Sequence, residues 1–347
     1  MSERRLYLDA GIGETRGVVT LDGRPERLLI DRGDVAPAQA LGARLVARVR
    51  KLERAQALAF LDLGAGPDGV LNLRPEMERF AEGQALEVEV RSEGRADKGP
   101  NLRLIGPAQG APRVLEAAPD LAAQLQAFAP RGQIVAGEVA RRMADEAQDE
   151  ALQTVFPLPG GGTVAIERTR ALTAVDVDMG ARPGAEAKRA ARQANQAALA
   201  TVARVLRLKG LGGLVVIDLA GRGHDGPTLL STARTAFGPD NPGVALGPIS
   251  RFGTLELTVP RRSRPAVEQL ADASGAPTAL TAALALIRAL EREAAADGGA
   301  RLEAVAAGDV AEAAAPYLKL LIARVGARVT LRAEPGRARS ESSVRAL

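Results

Sequence analysis

The sequence predicts a multidomain protein of mixed α+β and α/β class. Three observations support this prediction: short alternating strands in the first third, a βαβ pattern in the middle, and a compact αβαβ pattern near the carboxyl end. A chain of 347 residues with 46% hydrophobic content can bury a sizeable core. This length allows two or three domains.

The amino-terminal third contains short runs of alternating apolar and polar residues, separated by glycine-rich turns. Strands at this spacing predict a small all-β barrel from about Gly42 to Gly106, and we assign residues 39–110 to it. Residues 1–38 are expected to join residues 111–155 in a small α/β subdomain. In the second of these segments, Gln133–Val139 is predicted to form a strand and Ala140–Leu152 an acidic helix.

The middle of the chain is the most informative part. A strand at Ala171–Val177, a helix from about Ala185 to Lys209 and a strand at Leu214–Leu219 form a βαβ pattern. If the two strands are parallel neighbours, Asp176 and Asp218 lie at the sheet edge where open α/β sheets bind ligands.

Paired carboxylates form an oxygen-only site that suits Mg²⁺. Asp178 lies on the same strand face as Asp176 and is a candidate third ligand. Strand geometry alone is explained equally well by an alternative, in which the aspartates cap the turns or helices that follow the strands.

Positive charge is concentrated around these aspartates. Residues 161–265 contain 15 Lys and Arg against 8 Asp and Glu, whereas residues 111–155 contain 4 against 7. This distribution favours a polyanionic ligand near the candidate metal site, although a solvated arginine-rich face explains it as well.

The carboxyl-terminal part predicts a small αβ domain over residues 278–335, followed by a disordered polar tail over residues 336–347. The chain has no cysteine, which excludes disulfides and thiolate zinc sites. Its one histidine, His224, excludes mechanisms that need a pair of histidines. No run of eighteen apolar residues exists, so we expect a cytoplasmic protein that does not bind membranes.

Several separated motifs resemble the ribonuclease E/G family, in the family's order, from about residue 155 to 265. They are Leu158–Gly162 followed by VAIERTRALTAVDVDMG, the helix with Asn195, the run LRLKGLGGLVVID, and Ile249–Gly253 followed by TLELT. The resemblance implies a DNase I-like catalytic domain over residues 156–267 and an RNase H-like subdomain built from residues 1–38 and 111–155.

The resemblance also implies roles for individual residues. In the family, the residues matching Asp176 and Asp218 hold a catalytic magnesium ion, and an Asn at the position of Asp178 assists. In this chain that Asn is replaced by Asp, and a later acidic residue of the family is replaced by Gly221. Magnesium is therefore the expected cofactor, with Asp176, Asp178 and Asp218 as the catalytic residues.

The barrel region resembles the OB-fold RNA-binding module that family members insert at this place, of the ribosomal-protein S-one class. Phe60 and Lys98 match an aromatic residue and a lysine that contact RNA, and Val70 occupies the position of a second aromatic residue. An isolated Phe in an alternating strand is also typical of a barrel core. Arg168, Arg170 and Arg251 are candidates for phosphate binding or, alternatively, solvated surface residues.

The implied function is a magnesium-dependent endoribonuclease acting on single-stranded RNA. The alternatives are an RNA-binding protein that keeps the fold without catalysis, and a DNA nuclease. Residues 111–155 are too few for the family's 5′-sensor module, and the lack of cysteine excludes its zinc link. We therefore expect a short form that binds no zinc and forms no zinc-linked tetramer, with a homodimer left open.

Overall fold

The computed structural model of the protein describes residues 3–75, 79–95, 98–181, 187–238 and 243–347. In these residues the chain forms four β-sheets with helices packed against them. The predicted mixed class is therefore confirmed. Within the same ranges, no helix has the length and apolar character that a membrane span requires.

The chain begins with three antiparallel strands joined by tight turns: β1 (Arg4–Gly11), β2 (Glu14–Leu21) and β3 (Arg24–Asp31). Successive residues along these three strands point to opposite faces of the sheet, and both faces carry apolar side chains. Leu6 and Val19 lie in one core cluster, whereas Tyr7, Val18 and Leu28 lie in another. A sheet with two apolar faces needs a covering layer on each side.

The next segment forms the predicted barrel. Its five strands are β4 (Arg44–Glu53), β5 (Leu58–Asp62), β6 (Gly69–Asn72), β7 (Ala85–Ser92) and β8 (Asn101–Pro107). The order β5-β6-β8-β7-β4 is closed by pairing between β4 and β5, with β6 and β8 parallel. This closed five-stranded arrangement is OB-like.

A sixth strand extends the barrel sheet beyond the predicted boundary at residue 110. β9 (Arg113–Glu116) pairs with β4 and places these residues with the barrel. The sequence predicts that these residues belong to the α/β subdomain instead. All four residues of β9 are exposed, so the strand has no alternating burial pattern that the sequence could reveal.

The chain then returns to cover the amino-terminal sheet with three elements: α1 (Leu121–Phe128), β10 (Ile134–Val135) and α2 (Glu138–Leu152). β10 adds to the sheet parallel to β1. Leu125 of α1 packs on one face, and the alanines of α2 pack on the other. β1, β2 and β3 therefore form one structural unit with α1, β10 and α2.

The central sheet contains the predicted βαβ pattern. Its elements are β11 (Val155–Pro157), β12 (Thr163–Arg168), β13 (Thr173–Asp178), α3 (Ala187–Lys209), β14 (Gly213–Asp218), α4 (Gly226–Phe237), β15 (Ala245–Ile249) and β16 (Thr254–Val259). The strand order is β11-β12-β13-β14-β16-β15, and β13 and β14 are parallel neighbours as predicted. The predicted helix start at Ala185 lies outside the described residues.

One face of this sheet is buried and the other is open. Val175, Val177, Val215 and Ile217 point into a core formed with α3 and α4. The intervening residues of β13 and β14 are exposed or half-buried. We call this second surface the open face. Because side chains alternate along a strand, the open face displays the polar residues of each strand.

A short helix, α5 (Ala266–Leu270), leads to the carboxyl-terminal unit: α6 (Ala279–Ala296), β17 (Leu302–Ala306), α7 (Gly308–Val325), β18 (Val329–Ala333) and β19 (Ser343–Ala346). The αβαβ order matches the prediction. The predicted disordered tail does not, because β19 pairs with β17 and Val344 packs against the core of this unit. Backbone pairing and ion pairs of Arg345 with Glu303 hold this polar strand.

A buried ionic cluster joins the amino-terminal unit to the carboxyl-terminal one. Arg16 of β2 is 0% exposed, and its guanidinium lies 2.6 Å from Asp9 and 2.8 Å from Asp145 of α2. Arg288 of α6 reaches Glu14 of β2 at 2.6 Å. The sequence did not indicate this cluster, since charged residues in alternating strands predict solvent exposure.

Lys209, at the end of α3, has an unusual environment. It is 5% exposed, donates a hydrogen bond to the carbonyl of Gln153 and lies 5.3 Å from the ring centroid of Phe156. Burial lowers the pKa of Lys209 to about 8. Between this pKa and its ordinary value of 10.5, the unfolded chain binds a proton that the folded protein does not.

The free energy of unfolding should therefore rise as the pH increases from about 8 to about 10.5, by up to about 3 kcal/mol. The Lys209→Met variant lacks this group and should lack this rise. Urea unfolding of both proteins at pH 7.5, 9 and 10 measures the difference. Parallel pH profiles for the two proteins would contradict the assignment.

Candidate metal site and nucleic-acid interface

Asp176 and Asp218 lie side by side on the open face. They are register partners on the parallel strands β13 and β14, and both side chains are exposed. Neighbouring strands are about 4.8 Å apart, so the two carboxylates lie within reach of one cation. Neither side chain makes a hydrogen bond or an ion pair with any residue that the structure describes. The alternative in which they cap a turn or helix is therefore not supported for this pair.

The backbone around the pair is held by local contacts. Buried Asn195 of α3 forms two hydrogen bonds with the backbone of Ala220, at 3.0 and 2.9 Å, which fix the loop that follows Asp218. Gly162, at φ +82°, packs against the backbone of Asp178 so closely that a Cβ would lie 2.2 Å from its carbonyl oxygen. Only glycine fits this position.

Asp178 differs from the other two aspartates. It lies on the same face, two residues beyond Asp176, but its carboxylate accepts a hydrogen bond from the Gly180 backbone at 2.8 Å. For Asp178 the turn-capping interpretation therefore applies. Across the described ranges, no group of three or more acidic, His or Cys side chains is close enough to hold a metal ion.

The donor set of Asp176 and Asp218 nevertheless fits magnesium. Mg²⁺ in proteins is often bound by one or two carboxylates, with water and substrate phosphates completing its coordination. Two exposed carboxylates without a protein cation between them satisfy this requirement. Gly221, at φ +83°, follows nearby, and a Cβ there would lie 2.8 Å from Ala191. An acidic side chain at this position would be strained.

A second feature is a cleft of about 570 Å³ between the barrel and the central sheet. Phe60, Val70 and Lys98 of the barrel line one side, and Arg168 lies on the other. The structure therefore brings together three of the five residues that the sequence suggested for RNA contact. Arg261 and Arg262, which the sequence analysis did not single out, add further positive charge.

Phe60 faces this cleft and not the interior of the barrel. Its neighbours Ala59 and Leu61 are buried in the barrel core, whereas Phe60 is half-buried on the opposite side of β5. Val70 of β6 is its direct register partner. The barrel-core interpretation of Phe60 is therefore wrong, and position 70 lies beside it on the cleft wall.

Contacts at the base of the cleft set the position of the barrel. The Glu93 backbone donates to the carbonyl of Arg262, and the Glu93 carboxylate accepts from the Arg264 backbone, both at 2.8 Å. Burial raises the pKa of this carboxyl group. Arg264 also pairs with Asp34 at 2.9 Å. The barrel is thus joined to both the central sheet and the amino-terminal unit.

The other two candidate phosphate-binding residues, Arg170 and Arg251, lie outside the cleft. Arg170 is exposed in the turn between β12 and β13 and does not line the cleft. Arg251 lies in the turn between β15 and β16, where its guanidinium is 4.7 Å from the ring centroid of Phe252. Arg168 also forms an ion pair with Glu268, which holds its side chain at the cleft.

The cleft and the aspartates lie at opposite ends of one strand. Gly212, just before β14, lines the cleft, and Asp218 ends the strand. The six residue steps from Gly212 to Asp218 span roughly 20 Å of extended chain. This distance separates the cleft from the aspartate pair along β14.

Residues 116–262 match the sequence profile of the Ribonuclease E/G family. This segment, which is about two fifths of the chain, is similar to the ribonuclease E/G family. It contains all three aspartates and the candidate phosphate-binding residues Arg168, Arg170 and Arg251. Phe60 and Lys98 lie outside it. The family resemblance predicted from the motifs is confirmed.

Curated relatives agree with the family match. The chain is 30% identical over 118 residues to Ribonuclease E of Haemophilus influenzae, an alignment covering 33% of this chain and 13% of that protein. It is 29% identical over 160 residues to Ribonuclease E of Escherichia coli, covering 44% and 15%. It is 29% identical over 119 residues to Ribonuclease E of Buchnera aphidicola, covering 33% and 12%. Each match therefore spans less than one sixth of the relative.

Proposed function

We propose that this protein is a magnesium-dependent endoribonuclease that hydrolyses single-stranded RNA. The observation that carries the proposal is the in-register pair of Asp176 and Asp218, exposed on neighbouring strands within the ribonuclease E/G segment. A carboxylate pair on a positively charged surface repels phosphate unless a cation lies between them. The proposal includes a DNase I-like identity for the central domain and an RNase H-like identity for the amino-terminal unit.

The residues have distinct roles in this proposal. Asp176 and Asp218 would hold Mg²⁺, which supplies charge neutralisation and an acidified water at the scissile phosphate. Asp178 orients the turn after β13 through its bond to Gly180 and adds negative charge beside the pair. Phe60 stacks on a base, and Lys98 and Arg168 bind backbone phosphates in the cleft. Arg170 and Arg251 are placed to bind phosphates outside the cleft.

One observation favours the alternative of an RNA-binding protein without catalysis. Among the residues described, the site has two carboxylates near each other and lacks a third acidic ligand. Fewer ligands weaken metal affinity, because each carboxylate adds charge attraction. The cleft alone would still bind single-stranded RNA.

A cleavage assay separates the two functions. A labelled single-stranded RNA is incubated with the protein in Mg²⁺ and then in excess chelator, with a duplex and a single-stranded DNA as comparisons. Cleavage of the RNA in Mg²⁺ alone supports the endoribonuclease. Binding without cleavage at any Mg²⁺ concentration identifies the non-catalytic protein, and cleavage of DNA identifies a DNA nuclease.

The cleft should bind RNA by stacking and phosphate contacts that can be told apart. Phe60→Ala should weaken binding by roughly 1–3 kcal/mol with an unchanged salt dependence, because stacking releases no counterions. Lys98→Ala should reduce the slope of log affinity against log salt by at most about 0.7. Val70→Phe should strengthen binding, since position 70 faces Phe60 across the strand pair.

Fluorescence anisotropy over a range of salt concentrations measures both quantities. Lys319→Ala is a matched control, because Lys319 is an exposed lysine on α7 that does not line the cleft. A Phe60→Ala protein that binds RNA normally would remove the cleft from the proposal.

A further inference from the structure

The turn between β15 and β16 holds an aromatic side chain in solvent. Phe252 is 76% exposed, the largest such value among the described large hydrophobic residues. The turn is ordered by hydrogen bonds: Ser250 Oγ accepts from the Phe252 backbone at 3.2 Å, and the Ser250 carbonyl accepts from Gly253 at 3.0 Å. An exposed ring on a fixed turn favours a binding role, because folding gains nothing from its exposure.

This turn lies beside the aspartate pair, at the end of the sheet away from the cleft. Thr254 is the register partner of Asp218, and the Gly253 carbonyl accepts a hydrogen bond from the Leu219 backbone at 3.2 Å. Phe252 therefore directly precedes the residue whose backbone contacts the loop after Asp218. Phe60 lies at the opposite end of β14.

A basic pocket of about 520 Å³ adjoins the same turn. Lys188, Arg189 and Arg222 line it and make no ion pair with any residue that the structure describes, whereas Arg192 is 3.6 Å from Asp225. His224 also lines the pocket, and its Nε2 is buried without a hydrogen-bond partner in the described chain. Asp225 also lines the pocket and offsets part of the charge of Arg192 and Lys188, but the lining keeps a net positive charge, which favours an anionic ligand.

His224 connects the pocket to the turn. A Cβ built on Gly253 would lie 3.0 Å from His224 Nε2. The exposed ring and the basic pocket are therefore parts of one surface. Arg251, stacked on Phe252, extends its positive charge.

We propose that this surface is a nucleotide subsite, in which Phe252 stacks on a base and the pocket formed by Lys188, Arg189 and Arg222 binds an adjacent phosphate. The inference rests on the proposed function, because it takes single-stranded RNA as the ligand. The subsite holds the strand beyond the aspartate pair, while the cleft holds it before the pair. Anchoring both sides fixes the phosphate between them, which positions it for reaction.

The experiment uses short single-stranded RNAs that carry one abasic site, moved along the strand, with binding measured by anisotropy in chelator. For the unmodified protein we expect two sensitive positions, a fixed number of nucleotides apart. Phe252→Ala should weaken binding by about 5-fold to 140-fold and abolish sensitivity at one of them. Phe252→Tyr should restore both, and Phe60→Ala should abolish sensitivity at the other position.

The pocket is tested by Arg189→Gln with Arg222→Gln. Each substitution should reduce the salt slope by about 0.7 without changing the abasic pattern. Leu320→Ala is the matched control for Phe252→Ala, because Leu320 is 57% exposed and lies on α7. It should bind RNA as the unmodified protein does.

Two results overturn the inference and are distinguishable. If Phe252→Ala keeps full affinity and both sensitive positions while Phe60→Ala loses one, the subsite is wrong and the proposed function stands. If the unmodified protein binds no single-stranded RNA, both fail. An unchanged salt slope in the arginine variants removes the phosphate pocket from the subsite.

Discussion

Asp176→Asn and Asp218→Asn should each abolish RNA cleavage while leaving the fold intact. Each substitution removes one of two carboxylate charges that face each other across β13 and β14 and takes no volume from the core. A Mg²⁺ ion bound by two carboxylates loses one of its two anionic ligands with either change, because the amide of Asn is neutral. The measurement is single-turnover cleavage of a labelled RNA at saturating protein and high Mg²⁺.

Thermal unfolding provides a second measurement that does not depend on activity. Mg²⁺ should raise the melting temperature of the unmodified protein, because a ligand that binds only the folded state stabilises it. It should not do so in either variant. In chelator, both variants should be as stable as the original or gain up to about 1 kcal/mol, since like charges on paired strands repel.

Two controls test the assignment of this pair. Asp178→Asn should keep cleavage, because Asn retains an oxygen that can accept the Gly180 hydrogen bond and is the residue the family uses. Glu167→Gln removes a charge from the open face without touching the pair and should also keep activity. Wild-type cleavage by Asp176→Asn or Asp218→Asn would place the metal site elsewhere.

Arg16→Met should destabilise the protein by about 3–5 kcal/mol, since removing one partner of a buried ion pair leaves the other without compensation. Burial alone lowers the pKa of Arg16, but the hydrogen bond and charge of Asp9, together with Asp145, outweigh this effect and raise it. Asp9 is itself 4% exposed and would lose its contact at 2.6 Å. Urea unfolding at neutral pH measures the change.

A double substitution and an exposed control make this prediction specific. Arg16→Met combined with Asp9→Leu should recover part of the lost stability, because no unpaired carboxylate then remains at that position. Arg324→Met removes one partner of Glu291 at the edge of the same cluster and should cost at most about 1 kcal/mol, because the Arg324 side chain is 63% exposed and Arg141 remains 3.5 Å from Glu291. Equal costs for Arg16→Met and Arg324→Met would contradict the buried-pair argument.

Much of the candidate metal site could be predicted from the sequence. The βαβ pattern and its strand ends determine which residues share an edge, and the two-residue period of a strand places Asp176 and Asp178 on one face. The register of Asp176 with Asp218 could not be predicted, because a shift by two residues keeps the same side chains of each strand on the buried face. The pairing in the folded sheet decided it.

The cleft was predictable only in part. The alternation around Phe60 indicated a strand, but both the core and the surface interpretations agreed with it. The core cluster of the barrel decided between them, since it contains Ala59 and Leu61 and excludes Phe60. Arg261 and Arg262 were not identified because they lie about 200 residues from Phe60 in the chain.

The sequence by itself determined the similarity of the central segment to a known family, most of the strands and helices of each unit, and the likeness of the barrel to an RNA-binding module. These features depend on local periodicity and on motifs within short stretches of chain. The tertiary structure decided which surfaces face one another. It placed Phe60 opposite Arg168, buried Arg16 beside Asp9, paired β19 with β17, and brought Phe252 next to the pocket of Arg222. The reason is physical: such contacts join residues far apart in the chain, and their energies depend on burial and charge in the folded protein, which a local pattern does not contain.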